Sequence, residues 1–182
     1  ILYILAKSNL DNPNFNSKIV GTILSNIGLE FSLKDIDVDL YRSDVGDKNV
    51  FKMMKSKGSI IGGETSGHII NLDYSPTGDG LLVALLVIKE SIRSKRPISA
   101  LSKGLQLVPQ VSTDIKNDNM NIDDFTLNSI ALAATEKLDN GRAIIRKSGT
   151  EPLIRILIES DDNSKSEEVA KFIKEEISKK TK

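Results

Sequence analysis

The 182-residue chain has no cysteine and no tryptophan, a single histidine, and an aromatic content of 4%. Without cysteine there is no disulfide framework, no thiolate metal site and no cysteine nucleophile, and a reducing, cytoplasmic setting is expected. One histidine gives no support to a Ser-His-Asp triad or to a metal centre built on imidazoles. No Asn-X-Ser/Thr sequon occurs. No apolar run approaches the ~20 residues that span a bilayer, so no membrane partner is expected. Net charge is missing too, since Lys+Arg and Asp+Glu both number 25. Bulk attraction to nucleic acid is therefore not expected, and any anion site must be local. Neither a Gly-x-x-x-x-Gly-Lys-Ser/Thr loop nor a Gly-x-Gly-x-x-Gly fingerprint is present.

What remains is ordinary for a globular protein, with 39% hydrophobic and 27% charged residues. The length allows one domain or two. Ile1–Ala6 reads as the inside of a helix without its N-cap, and lacks the basic flank and cleavage site of a signal peptide. The chain is therefore expected to be cut from a longer one. Lys18–Leu24 is an apolar run suited to a buried strand, Asn26–Lys34 a short helix, and Asp37–Tyr41 a strand. Val50–Lys57 reads as a helix ending at Gly58. Ser59–Gly62 and His68–Leu72 read as short strands, and Leu81 to about Arg93 as a helix capped by Thr77 or Asp79. Such alternation predicts an α/β domain with a mixed sheet over residues 1–99.

After Lys95-Arg96-Pro97 the pattern changes. Ile98–Gly104 reads as a connector, Leu107–Lys116 as a strand, Asn117–Asn121 as a polar loop and Asp123–Leu138 as a helix. Arg142–Arg146 and Leu153–Glu159 predict a hairpin, and Ser166–Lys179 an amphipathic helix. This order suits a small α+β domain over residues 100–182. Asn117–Asp124 superficially suggests a calcium loop but lacks the central Gly and closing Glu, so a polar turn is expected. The lysine-rich tail alternates with glutamate and reads as a solvated helix face.

The densest chemistry lies at Arg146-Lys147-Ser148-Gly149-Thr150-Glu151-Pro152-Leu153-Ile154-Arg155. Arginine forks, hydroxyls and backbone N–H groups around one turn suit a phosphate. A turn between paired strands would bring Arg146 and Arg155 together, with Arg155 on the face opposite Ile154, Ile156 and Ile158. The competing reading is a pair of solvated arginines bound to Glu151 and Glu159. Gly62–His68 fits either a Gly-rich hairpin turn with a surface Glu or a loop in which Glu64 and Ser66 meet sugar hydroxyls. His68 could serve acid–base chemistry or only hydrogen bonding. Arg42–Lys48, holding Gly46 and Asp47, fits an anion-binding helix start or a plain capped one. Thr77-Gly78-Asp79-Gly80 carries the same ambiguity and is taken as structural.

Arg-Lys-Ser-Gly-Thr-Glu-Pro with its following Arg resembles the phosphate-binding signature of the α-D-phosphohexomutase superfamily, and Gly-Gly-Glu-x-Ser-Gly-His resembles its sugar-binding loop. Arg42-x-x-Val45-Gly46-Asp47 and Thr77-Gly78-Asp79-Gly80 look most like the bacterial phosphoglucosamine mutase branch, with Thr65 where that branch usually has Gln. The order and spacing of these motifs match along essentially the whole chain. The resemblance implies the third and fourth of four domains, a phosphorylated hexosamine as ligand, and the missing N-terminal domains as partners. It implies that Glu64, Ser66 and His68 face the sugar, with Gly46 and Asp47 nearby. Arg146, Ser148, Gly149, Thr150 and Arg155 would grip the phosphate that is not transferred. It also implies a phosphoserine and a magnesium ion in the absent domains, with no catalytic residue and no metal in this chain. Another hexose mutase, acting on mannose or glucose phosphates, and a noncatalytic phosphosugar-binding module are the alternatives.

Overall fold

The computed structural model describes residues 1–116 and 122–180, and divides the chain into two compact units, residues 1–107 and 108–182. The first is an α/β unit with the order α1 (Leu2–Ser8), β1 (Lys18–Thr22), α2 (Ile27–Lys34), β2 (Asp39–Ser43), α3 (Asp47–Lys57), β3 (Ile61–Gly63), β4 (Ile69–Asn71), α4 (Gly80–Ser94) and α5 (Ile98–Leu101). Its sheet runs β2-β1-β3-β4, with β1 parallel to both β2 and β3 and β4 antiparallel to β3.

Strand periodicity decides the layers. Ile19 and Ile69 turn to one face and pack with Leu5 of α1, Leu33 of α2 and Val83 of α4. Their neighbours Val20 and Ile70 turn to the other and pack with Val50 and Met54 of α3. Placing α2 and α3 on opposite faces leaves the carboxyl ends of the parallel strands open between them, where open α/β sheets hold ligands.

Strand ends differ by a few residues from the sequence expectation, and at β1 and β2 the reasons are local. β1 stops at Thr22 because hydroxyls take over from the ladder: Thr22 N–H donates to Ser25 Oγ (3.0 Å) and Leu24 N–H to Thr22 Oγ1 (3.3 Å). β2 starts at Asp39 because Asp37 adopts a left-handed φ of 58°, and Val38 N–H then closes back on the Leu33 carbonyl at 3.0 Å. Helix α4 is capped by Asp79, whose carboxylate accepts from Leu82 N–H at 2.9 Å.

The second unit follows as β5 (Gln110–Lys116), α6 (Asp124–Thr135), β6 (Arg142–Lys147), β7 (Leu153–Glu159) and α7 (Asn163–Lys180). The sheet is antiparallel in the order β5-β7-β6. Ile154, Ile156 and Ile158 alternate onto one face and form the core with Ile145, Leu127 and Ile130 of α6, and Ile173 and Ile177 of α7. This is the expected small α+β architecture. The Asn117–Asn121 loop, and the last two residues of the lysine-rich tail, lie outside the described residues.

Among the described residues, no helix is long and apolar enough to cross a membrane.

Candidate functional site

In the first unit, chemistry gathers at the carboxyl end of the parallel strands. Glu64 begins the β3–β4 loop, a turn closed by Glu64 N–H to the His68 carbonyl and Gly67 N–H to the Glu64 carbonyl, both 3.0 Å. Gly67 supplies the positive φ of 95° that the turn needs. The Glu64 side chain crosses to the start of α3, where Oε2 accepts from Gly46 N–H at 3.0 Å. Within α3 the Asp47 carboxylate accepts from Lys48 N–H at 2.8 Å, while Gly46 at the cap position has no side chain to offer. A carboxylate from another loop therefore satisfies that end, where the helix dipole favours negative charge. Oε1 makes no further bond among the described residues.

His68 lies beside the same helix start, its Nε2 3.8 Å from Asp47 Oδ2, with 43% of the side chain exposed. Ser66 is exposed at the tip of the loop. The structure thus brings Gly46, Asp47, Glu64 and His68 into one cluster, with Ser66 next to it. It also adds Gly78. A Cβ built there would sit 2.3 Å from His68 Nε2, so the ring rests directly on the Gly78 backbone. Sequence reasoning took this glycine as part of a helix start; the signal was a Gly on the flank of the cap, which marks close approach as often as a bend. Arg42, which opens the same motif as Gly46 and Asp47, is bonded within the fold. Its guanidinium donates to the Ser25 carbonyl at 2.6 Å and to Glu30 at 2.9 Å.

In the second unit the candidate phosphate residues occupy the β6–β7 turn. Arg146 and Arg155 are direct cross-strand partners and so share a sheet face, with Asp114 of β5 next in the same row. Ser148 N–H donates to the Leu153 carbonyl at 2.8 Å. Because bonded rungs alternate, the Arg146–Arg155 rung is a hydrogen-bonded one, with Cα atoms about 5.5 Å apart. Arg155 pairs through Nη2 with Glu151, whereas its Nε is buried and meets no acceptor among the described residues. Gly149 and Thr150 are exposed at the tip and Ser148 is half-buried. Two guanidinium groups and two hydroxyls thus gather on one turn, a donor set of the kind that suits an oxyanion.

The solvated-pair reading is therefore right for Glu151 and wrong for Glu159. Glu159 is fully buried and accepts from Gln110 Nε2 (2.5 Å) and from Arg142 Nε. Arg142 was given no role from sequence, because its partner could be named only once the register was known.

The first unit matches the family model described as phosphoglucomutase/phosphomannomutase, alpha/beta/alpha domain III, over residues 1–107. The C-terminal domain of the same family matches residues 98–176. The chain belongs to the phosphoglucomutase/phosphomannomutase family of α-D-phosphohexomutases. Among curated relatives, this phosphohexomutase chain is 39% identical over 180 residues to a phosphoglucosamine mutase of Shewanella loihica, covering 97% of the chain and 41% of the relative. It is 37% identical over 187 residues to the phosphoglucosamine mutase of Pseudoalteromonas atlantica, covering 100% and 41%. The chain thus spans well under half the length of these relatives. Its fold resembles a phosphoglucomutase/phosphomannomutase family protein of Burkholderia thailandensis, with a TM-score of 0.77 at 16% identity, over 98% of this chain and 41% of that one. It also resembles Aspergillus fumigatus N-acetylphosphoglucosamine mutase in complex with GlcNAc-6P and magnesium, with a TM-score of 0.74 at 15% identity, over 97% and 46%. Among the described residues no group of three or more His, Cys, Asp or Glu side chains could hold a metal ion.

Proposed function

We propose that this chain is the sugar- and phosphate-holding part of a phosphoglucosamine mutase, which interconverts glucosamine 6-phosphate and glucosamine 1-phosphate. The observation that carries this reading is the Arg146–Arg155 rung, whose cross-strand like charges favour an anion between them. The relatives named phosphoglucosamine mutase supply the choice of sugar.

Arg146, Ser148, Gly149, Thr150 and Arg155 grip the phosphate that stays on the sugar. Oε1 of Glu64, the Ser66 hydroxyl and His68 read the sugar hydroxyls, while Gly46 and Asp47 fix Glu64 and His68 from the start of α3. Binding energy applied away from the reacting centre orients the substrate for transfer. Transfer itself, through a phosphoserine and with magnesium, belongs to regions of such enzymes that this chain does not span. The chain alone then binds phosphosugar without turning it over. The whole enzyme would work in the cytoplasm and feed amino sugar toward cell-wall precursors.

The test is calorimetric titration of the chain with glucosamine 6-phosphate, glucose 6-phosphate, mannose 6-phosphate and unphosphorylated glucosamine. Glucosamine 6-phosphate should bind best and glucosamine hardly at all. Arg155→Ala should weaken the phosphosugar by about 2–3 kcal/mol, the scale of a lost charge-assisted hydrogen bond. Preference for glucose or mannose phosphate would reassign the enzyme within its family. Unchanged binding in the arginine variant would remove the phosphate assignment, and turnover by the chain alone would overturn the division of labour.

A further inference from the structure

The turn that carries the candidate phosphate residues also carries a carboxylate of its own. Glu151 sits four residues before Arg155 and pairs with Nη2 of its guanidinium, while Nε of the same group stays bare. Across the rung, Arg146 has no ion pair among the described residues. Two like charges in direct register repel, and one carboxylate on one of them compensates only in part.

Resting on the phosphate reading above, we infer that Glu151 is a tethered stand-in for the ligand. Its carboxylate occupies the Arg155 fork when phosphate is absent, and must leave for phosphate to enter. Both partners are partly solvated, with 41% of the Arg155 and 51% of the Glu151 side chain exposed. An ion pair of that kind shifts an equilibrium by no more than about fivefold, so a ligand can displace it.

The arrangement also selects. A tethered group acts at an effective concentration in the millimolar range, so a free carboxylate meets a competitor of its own chemistry already in place. A phosphate dianion carries twice the charge and enough oxygens to reach Arg146 and the Ser148 and Thr150 hydroxyls together with Arg155. Glu151 therefore holds carboxylates out and yields to phosphate.

The experiment titrates the 182-residue chain with inorganic phosphate at fixed ionic strength, following the amide resonances of Ser148, Gly149 and Thr150, and repeats it with acetate as competitor. Glu151 is exposed in a turn, so Glu151→Gln leaves the fold intact. Glu151→Gln should bind phosphate about fivefold more tightly, and acetate should compete in that variant but not in the parent. Glu151→Gln/Arg155→Ala should bind no better than Arg155→Ala alone. Equal or weaker phosphate binding by Glu151→Gln, with binding still lost in Arg155→Ala, overturns the stand-in and leaves the phosphate grip in place. Tighter binding without acetate competition overturns the selectivity. No phosphate binding by the parent, or none lost on removing Arg155, overturns the grip and the stand-in together.

Discussion

Replacing Gly78 by alanine would set a Cβ 2.3 Å from His68 Nε2, closer than unbonded atoms approach, so the ring must move. His68 is part-exposed and can swing aside, so stability should change by no more than about 0.5 kcal/mol. Phosphosugar affinity should fall, by about tenfold if one sugar hydrogen bond is lost. Calorimetric titration beside a denaturant melt separates the two effects; loss of stability with affinity unchanged would count against His68 in the site. The residue scale is also where the sequence was hardest to read. Glu64 was legible as the carboxylate of a Gly-rich loop, but its bond to Gly46 N–H was not, because it joins residues 18 apart through the placement of two loops. Glu151 beside Arg155 was legible as a pairing by spacing alone.

Helix α6 shows how one side chain ties an element to pH. Asp123 is its N-cap and accepts from Thr126 N–H at 2.7 Å, which holds the carboxyl below its ordinary value of 3.8. Lower in the folded state than in the unfolded, this group adds stability at neutral pH. That contribution shrinks as pH falls below about 4 and is gone once the folded-state value is passed. Asp123→Ala should therefore lower the unfolding midpoint at pH 7, with a gap to the parent that closes toward pH 2; Asp123→Asn should keep most of the cap without the pH dependence. Thermal melts across pH 2–7 read both. Elements with a clear period were legible from sequence: the β6–β7 hairpin and helices α2, α4 and α7 lie where alternation and apolar spacing put them. Ends set by a hydroxyl or a left-handed aspartate, as at Thr22 and Asp37, were not, since propensity does not register a single side-chain bond.

At the scale of the molecule, each apolar cluster among the described residues falls within one unit. A lesion in one core should then be felt there and not in the other. Glu159 offers the sharper case, because removing a fully buried carboxylate takes its ion-pair partner from Arg142. Glu159→Ala should cost the second unit about 3 kcal/mol. Hydrogen exchange should show faster opening of β5, β6 and β7, while the amides of β1, β2 and β3 keep their parent rates. Uniform acceleration across both sheets would mean the units unfold together. The two-part architecture was visible in the change from alternating strands and helices to a hairpin between helices.

The pairing of Arg146 with Arg155 has a consequence for how the turn between them can vary. Ladder partners in β6 and β7 are locked by Ala143, Ile145, Ile154, Ile156 and Ile158, which face the core. A slip of one position in either strand would turn that strand's set out to solvent and its arginine inward. An added or lost turn residue should therefore be absorbed at the tip between Ser148 and Pro152, where longer loops cost little. The isoleucines, which lie in the core, set the spacing of the two guanidinium groups, so a change of turn length should spare that spacing while displacing Ser148, Gly149, Thr150 and Glu151 around it.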